Sequence, residues 1–320
     1  MTRSRIIVLG DANVDMIVRL PDREGGVLDL TSSVPQLQGG GSAANVAAAL
    51  ARLGQEVTFV GAVGDDGYGR WVAEDLAREG VDTTGLYPVK DKFTPMVLAL
   101  IEPNGERLVV VWPPEDGAHH HLPQKAIHAA FWQGATWLHT SGMCLRHSPT
   151  RETILQAMKE ANSKGVMVSL DLNIRNELWG FDAETRAVFE QAVNLSDVVL
   201  GNAEEEICLL ARSDTVEEAA RMLCDGRRTV VARMGDAGAM AATPSGFLRA
   251  AGWTVDVVDT LGAGDAFDAG FIAARMDGRD LQEAMRWGNA VAALTIGNSG
   301  ARGSPNRQEL SAFLTSKREL

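Results

Sequence analysis

No G-x-x-x-x-G-K-[ST] loop occurs anywhere in the chain, which excludes a P-loop nucleotide site. Long hydrophobic runs are missing too. The first apolar stretch, Ile6 to Leu9, is far too short for a secretory leader or a membrane span. Cysteine is scarce: Cys144, Cys208 and Cys224 form no C-x-x-C pair and are odd in number. That pattern argues against a disulfide framework or a zinc site, and for free thiols in a reducing compartment. Positive charge is in deficit, with 30 Lys and Arg against 42 Asp and Glu and a net charge of -12. A broad nucleic-acid surface is therefore not expected, and a cytoplasmic protein is. His119-His120-His121 invites a metal reading, but adjacent residues project in different directions and no second cluster has ligand spacing, so it reads as a solvated loop.

What is present is a strand and helix alternation over 320 residues, with no internal repeat or low-complexity linker. Arg5–Gly10 reads as a buried first strand, followed by Asp11, Asn13 and Asp15 on a turn. Gly39-Gly40-Gly41 leads into an Ala/Leu-rich helix with Ser42 as candidate N-cap and Gly54 as the stop. Glu56–Val63 is a strand, Tyr68–Arg78 a helix, and Gly80–Leu86 a connection. From residue 123 the expected order is helix Pro123–Trp132, strand Thr136–Thr140, helix Pro149–Ser163 and strand Val166–Leu170. Helix Ala183–Val193, strand Asp197–Leu200, helix Val216–Cys224 and strand Thr229–Ala232 follow, with helices Leu281–Ile296 and Asn306–Leu314 near the end. Polar clusters recur at strand C-termini, the edge where a doubly wound sheet carries its site. Two stretches break the alternation: Met16–Gln38, with a Gly25-Gly26 turn, and a hairpin of Thr94–Ile101 and Glu106–Trp112 around Asn104-Gly105. Together, as insertions of about 16–38 and 92–114, they would pair into a small sheet serving as a lid on one α/β domain spanning 1–320.

Trp253 to Phe271 carries the sharpest signal. Thr254–Val258 alternates like a strand, Gly262, Ala263 and Gly264 form a small-residue turn, and a helix follows. Such a turn lets backbone amides approach an anion at a helix N-terminus. The acid in that anion-friendly place, Asp265, is odd unless it does proton chemistry beside a phosphate. A dinucleotide fingerprint does not fit, because Phe267 stands where the third glycine belongs.

Two distant segments give the chain its resemblance to the ribokinase-like (PfkB) family of small-molecule kinases. One is Gly40-Gly41-Ser42-Ala43-Ala44-Asn45 with Gly61-Ala62-Val63-Gly64-Asp65-Asp66-Gly67-Tyr68-Gly69 after it. The other is Asp259-Thr260-Leu261-Gly262-Ala263-Gly264-Asp265-Ala266-Phe267. The resemblance implies a doubly wound, mostly parallel sheet flanked by helices with a small β-sheet lid, and transfer of the γ-phosphate of ATP to a sugar hydroxyl. It implies Asp265 as base and Gly262, Ala263 and Gly264 as anion hole. Asp15, Asn13, Gly40, Gly41, Ser42 and Asn45 would hold the acceptor. Asn202 and Glu205 would serve Mg²⁺ and the phosphates, Glu205 through water. Arg233, Gly235, Gly238 and Asn289 would lie on the nucleotide side. Asp259, the Leu261 carbonyl and the Gly297–Ser304 turn resemble a monovalent-cation site, commonly K⁺. Asp171-Leu172-Asn173-Ile174-Arg175 with Leu178-Trp179 is similar to fructokinases and 2-keto-3-deoxygluconate kinases, and would bring Arg175 to a phosphate or carboxylate. A sugar and ATP are the implied small-molecule partners, with no nucleic acid and no membrane. A homodimer through the lid is expected, since a small sheet cannot bury both faces alone. A nucleoside kinase of the same family and a non-catalytic sugar-binding regulator are the alternatives.

Overall fold

The structure, a computed structural model, describes residues 4–21, 33–103 and 106–316. The expected Gly25-Gly26 turn and the Asn104-Gly105 tip lie outside those residues, as do the side chains of Leu178 and Trp179. Thirteen strands occur among them: β1 Arg5–Leu9, β2 Asn13–Arg19, β3 Gln36–Gly40, β4 Glu56–Gly64, β5 Asp82–Val89, β6 Met96–Ile101, β7 Arg107–Trp112, β8 Ala135–Ser141, β9 Met167–Asp171, β10 Val198–Asn202, β11 Thr229–Arg233, β12 Ala239–Thr243 and β13 Gly246–Ala250. The helices are α1 Ser42–Arg52, α2 Gly67–Arg78, α3 Thr150–Ser163, α4 Asn176–Trp179, α5 Ala183–Asn194, α6 Leu209–Ala211, α7 Val216–Cys224, α8 Ala263–Met276, α9 Leu281–Ile296 and α10 Arg307–Ser316.

Nine strands form one sheet in the order β13-β12-β11-β10-β9-β8-β1-β4-β5. Its centre is parallel, as runs such as Ile6-Ile7-Val8-Leu9 dictate, because strands covered on both faces can be apolar throughout. One face packs on α1, α8 and α9 through residues such as Phe59, Phe267 and Phe271. The other packs on α3, α5 and α7 through residues such as Leu138, Ile154 and Phe189. Burial of each such side chain contributes about 1.5–3 kcal/mol, which fixes the sheet edge from which the site is built. The second sheet, β3-β2-β6-β7, is the expected lid. Its β2–β6 pairing is parallel and its outer pairings antiparallel.

Three expectations are corrected here, and one feature is new. Thr254–Val258 is not a strand: Val257 and Val258 are exposed, and the amides of Val258 and Asp259 both reach Ile296 O. Gly80–Leu86 is largely strand β5, whose Pro88 is tolerated because the strand is at the sheet edge. Pro123–Trp132 is two short 3₁₀ turns, Gln124–Ala126 and Ala129–Trp132, parted by the extended residues Ile127 and His128. The residues after Arg233 include an antiparallel hairpin, β12–β13, that the sequence did not announce.

Candidate active site

The lid and the sheet meet at the chain crossing between β1 and α1. Asn13 and Asp15 lie on β2 rather than on a turn, and Gly40 pairs with Asn13 from β3. Asn13 Nδ2 donates to Asp15 Oδ1 at 2.6 Å. A side chain on Gly40 would start 2.6 Å from both of those groups, so glycine keeps the pair accessible. Burial pushes the Asp15 carboxyl up to about 6, against the opposing pull of Asn13 and Arg302.

Ser42 does not cap α1. Gly41 is the N-cap, and Asp11 satisfies the helix end from outside: its carboxylate accepts from Ser42 N at 2.9 Å and Ala43 N at 3.2 Å. That frees the side chains of the first turn. Ser42 Oγ donates to Asp265 Oδ1 at 2.7 Å, and Asn45 Nδ2 donates to Asp265 Oδ2 at 2.9 Å. Residues 220 positions apart thus converge on one carboxyl group.

Asp265 stands in the first turn of α8, just past the left-handed Gly262 (φ 77°). The Gly262 and Gly264 amides have no hydrogen-bond partner among the described residues, while Ala263 N reaches Thr260 O at 3.3 Å. Two bare amides at a helix N-terminus suit a phosphoryl group. Burial raises the Asp265 carboxyl to about 7; Asn45 and Ser42 pull it down, and the like charges of Asp171 and Asp11 push it up. A carboxyl poised there alternates between proton acceptor and donor near neutral pH.

Beneath this turn lies a buried charge cluster. Arg233 Nη1 donates to Asp268 Oδ1 at 2.6 Å and to Gly264 O at 3.4 Å, and Nη2 donates to Asp171 Oδ1 at 2.7 Å and Glu206 Oε2 at 3.5 Å. The guanidinium is therefore occupied by its own fold. Three carboxylates surround one cation, and burial drives Asp268 and Glu206 upward.

At the end of β10, Asn202 Oδ1 accepts from Glu204 N and Glu205 N at 3.0 Å each, which leaves the Glu205 side chain exposed. Gly235 and Gly238 bound the turn between β11 and β12. Asn289 Nδ2 donates to Ala250 O at 3.1 Å and Ala251 O at 3.0 Å, tying α9 to the end of β13. Asp259 Oδ1 accepts from Leu261 N and Oδ2 from Gly300 N, each at 3.1 Å, so the Asp259 loop and the C-terminal turn are joined. Arg175 is exposed, in a left-handed conformation, 4.0 Å from Glu177 Oε1, and its charge reaches Asp11 at the start of α1. The rings of His119 and His120 lie 3.7 Å apart, tilted by 43°, and those of His120 and His147 4.1 Å apart, tilted by 41°; among the described residues no group of three His, Cys, Asp or Glu is arranged to hold a metal ion.

Sequence reasoning missed Asp11 as the cap, Asp171 and Asp268 as Arg233 partners, and Arg302, whose Nε donates to Asn45 Oδ1 at 3.0 Å. Only Arg302 had a signal, a bulky charge inside a glycine-rich turn.

Residues 3–308 match the pattern of the pfkB family carbohydrate kinases. The chain is 34% identical over 316 residues to the ATP-dependent ribose-1-phosphate kinase of Halopiger xanaduensis, covering 98% of this chain and 99% of that protein. It is 31% identical over 320 residues to the fructokinase of Vibrio alginolyticus, covering 97% and 99%. The structure of a fructokinase double mutant from Vibrio cholerae O395, with fructose, ADP and potassium bound, superposes with a TM-score of 0.83 at 31% identity, covering 98% and 99%. The chain belongs to the pfkB family of carbohydrate kinases and is a phosphotransferase with a hydroxyl acceptor.

Proposed function

We propose that the protein transfers the γ-phosphate of ATP to a hydroxyl of a sugar or sugar derivative, with Asp265 as the base. The observation that carries this reading is the Asp265 carboxyl, held by Ser42 and Asn45 from the acceptor side and flanked by the bare amides of Gly262 and Gly264. The acceptor lies between the Asp15–Asn13 pair and Asn45. A half-buried carboxylate whose other oxygen is uncommitted accepts sugar hydroxyls. As the acceptor oxygen bonds to the γ-phosphorus, its proton passes to Asp265, the bond from that phosphorus to the β-γ bridging oxygen breaks, and ADP departs. Charge on the transferring group is met by the two amides and the N-terminus of α8.

Mg²⁺, when bound with ATP, neutralises phosphate charge. Exposed Glu205 suits a contact through water, since Mg²⁺ keeps several waters and binds chiefly through phosphates. The Asp259 carboxylate, bonded to the amides of Leu261 and Gly300, would supply oxygen together with the Leu261 carbonyl and the adjoining turn to a monovalent cation such as K⁺.

An ADP-release assay over hexoses, pentoses, sugar acids, sugar phosphates and nucleosides tests the reading. The breadth of that panel reflects relatives named for acceptors as different as ribose 1-phosphate and fructose. One sugar or sugar derivative should raise ADP release at least about 100-fold over the acceptor-free rate. Release confined to nucleosides would move the acceptor class, and no stimulation by any acceptor would overturn the reading.

The lid supports a dimer. Leu108, Val109, Val110, Val111 and Trp112 of β7 are all exposed, so an apolar edge strand is bare on both faces. Light scattering should give twice the chain mass for the wild type and the single mass for Val110→Glu. A monomeric wild type at 10 µM, on the order of a weak dimer's dissociation constant, would contradict it. No helix among the described residues is long and apolar enough to cross a membrane.

A further inference from the structure

Asn45 uses both ends of its amide. Nδ2 donates to Asp265 Oδ2 at 2.9 Å, and Oδ1 accepts from Arg302 Nε at 3.0 Å. A guanidinium can only donate, so Arg302 dictates which end of the amide faces it. With Oδ1 committed to Arg302, Nδ2 must face the carboxyl. Were the amide free to turn over, its oxygen would oppose Asp265.

Arg302 is itself held on three further sides. Nη1 donates to Asp75 Oδ2 on α2 at 3.0 Å. Its carbonyl accepts from Arg52 Nη1 at 2.6 Å, and Arg52 is locked to Glu79 by two hydrogen bonds of 2.6 Å. Its guanidinium lies flush against β3: a side chain on Gly39 would start 2.7 Å from Arg302 Cζ and 2.2 Å from Asp75 Oδ2. Two residues earlier in the same turn, Gly300 N is bonded to Asp259 Oδ2. One arginine therefore meets the root of the lid, α1, α2 and the turn bonded to the Asp259 loop.

We infer that Arg302 is a positioning residue for the base: it fixes the Asn45 amide so that a hydrogen-bond donor always faces Asp265, and it ties that donor to the root of the lid strand β3. The inference rests on Asp265 being the base. The groups around Asp265 are Ser42 and Asn45 of α1, Asp11 after β1, Asp171 of β9 and Asp268 of its own helix.

Arg302→Lys tests this, because lysine keeps the positive charge beside Asp75 but loses the fixed Nε–H donor. The expected result is a kcat about 10-fold lower with nucleotide KM within about twofold. The acid limb of the rate profile, and the Asp265 carboxyl titration followed by carbon-13 NMR, should both move up by about half a unit or more, because a donor to the charged form is lost. In an Asn45→Ala background the lysine substitution should cost less than about twofold, since its route through Asn45 is gone. Gly39→Ala presses on the guanidinium without altering it and should give the same pair of changes. Either folded variant with wild-type kcat and wild-type Asp265 titration overturns the inference, as does full additivity in the Asn45→Ala background. If the wild type phosphorylates no acceptor, the kinase reading fails, while the NMR titration still decides whether Arg302 acts on Asp265.

Discussion

Asp265→Asn should lower turnover by about 10³-fold while leaving sugar and ATP dissociation constants within about threefold. The substitution is nearly isosteric and removes only the proton-accepting charge. The surroundings accommodate it. Asn45 is held with Nδ2 toward residue 265 and will face the new amide oxygen, and the Ser42 hydroxyl, now 2.7 Å from Oδ1, rotates to accept from the new amide nitrogen. The same variant should be more stable at pH 8. The Asp265 carboxyl sits at about 7 in the fold against 3.8 in its ordinary state, so the folded protein holds the proton more tightly than the unfolded chain. Stability thus falls as pH rises from about 4 to about 7, and the full cost is present above it, on the order of 4 kcal/mol. Neutral asparagine escapes that cost, and the melting temperature at pH 8 should rise by roughly 6 °C. At pH 4 the gain should vanish. Binding and kinetic assays with thermal melts at both pH values check this. Wild-type turnover would remove Asp265 from the role of base.

Gly262→Ala should lower kcat by about 10²-fold or more. Gly262 holds φ 77°, a conformation that costs an L-residue roughly 1–2 kcal/mol. Its new Cβ would stand 2.8 Å from the Cα of Ala301 and 2.9 Å from its carbonyl oxygen. Backbone cannot yield like a side-chain tip, so the turn carrying the Gly262 and Gly264 amides must move. Gly278→Ala is the control. Gly278 has φ 75° after α8, with open space where the Cβ would go. It suffers the same backbone strain without the collision, so it should lose stability and keep turnover. Equal kcat in the two variants would show that the turn does not bind the transferring group.

The framework was legible where local signals and tertiary demands agree. The apolar run of β1 needs two covered faces and receives them, and the small-residue turn before Asp265 became a helix N-terminus. Thr254–Val258 misled because alternation records suitability for a strand, whereas a strand also needs a free partner edge, and this segment's amides go to the end of α9 instead. Strand β5 was hidden by Gly85 and Pro88, residues that an edge position tolerates. In the site, Asp265, Ser42 and Asn45 were readable from their motifs. What was not readable was who holds whom: Asp11 capping α1, Arg233 folded into three carboxylates, and Arg302 orienting Asn45. Those contacts join residues up to 257 positions apart and leave no local pattern.

The central claim is that Asp265 accepts the acceptor's proton during transfer. Its most direct test is the single-turnover rate of phosphoryl transfer in the wild type from pH 5 to 9, at saturating ATP and acceptor. The account predicts a rate that climbs tenfold per pH unit at the acid end, bends near 7 and is flat above it, reporting one group that must lose its proton. A rate independent of pH across that range, in an enzyme that binds both substrates throughout, would contradict it.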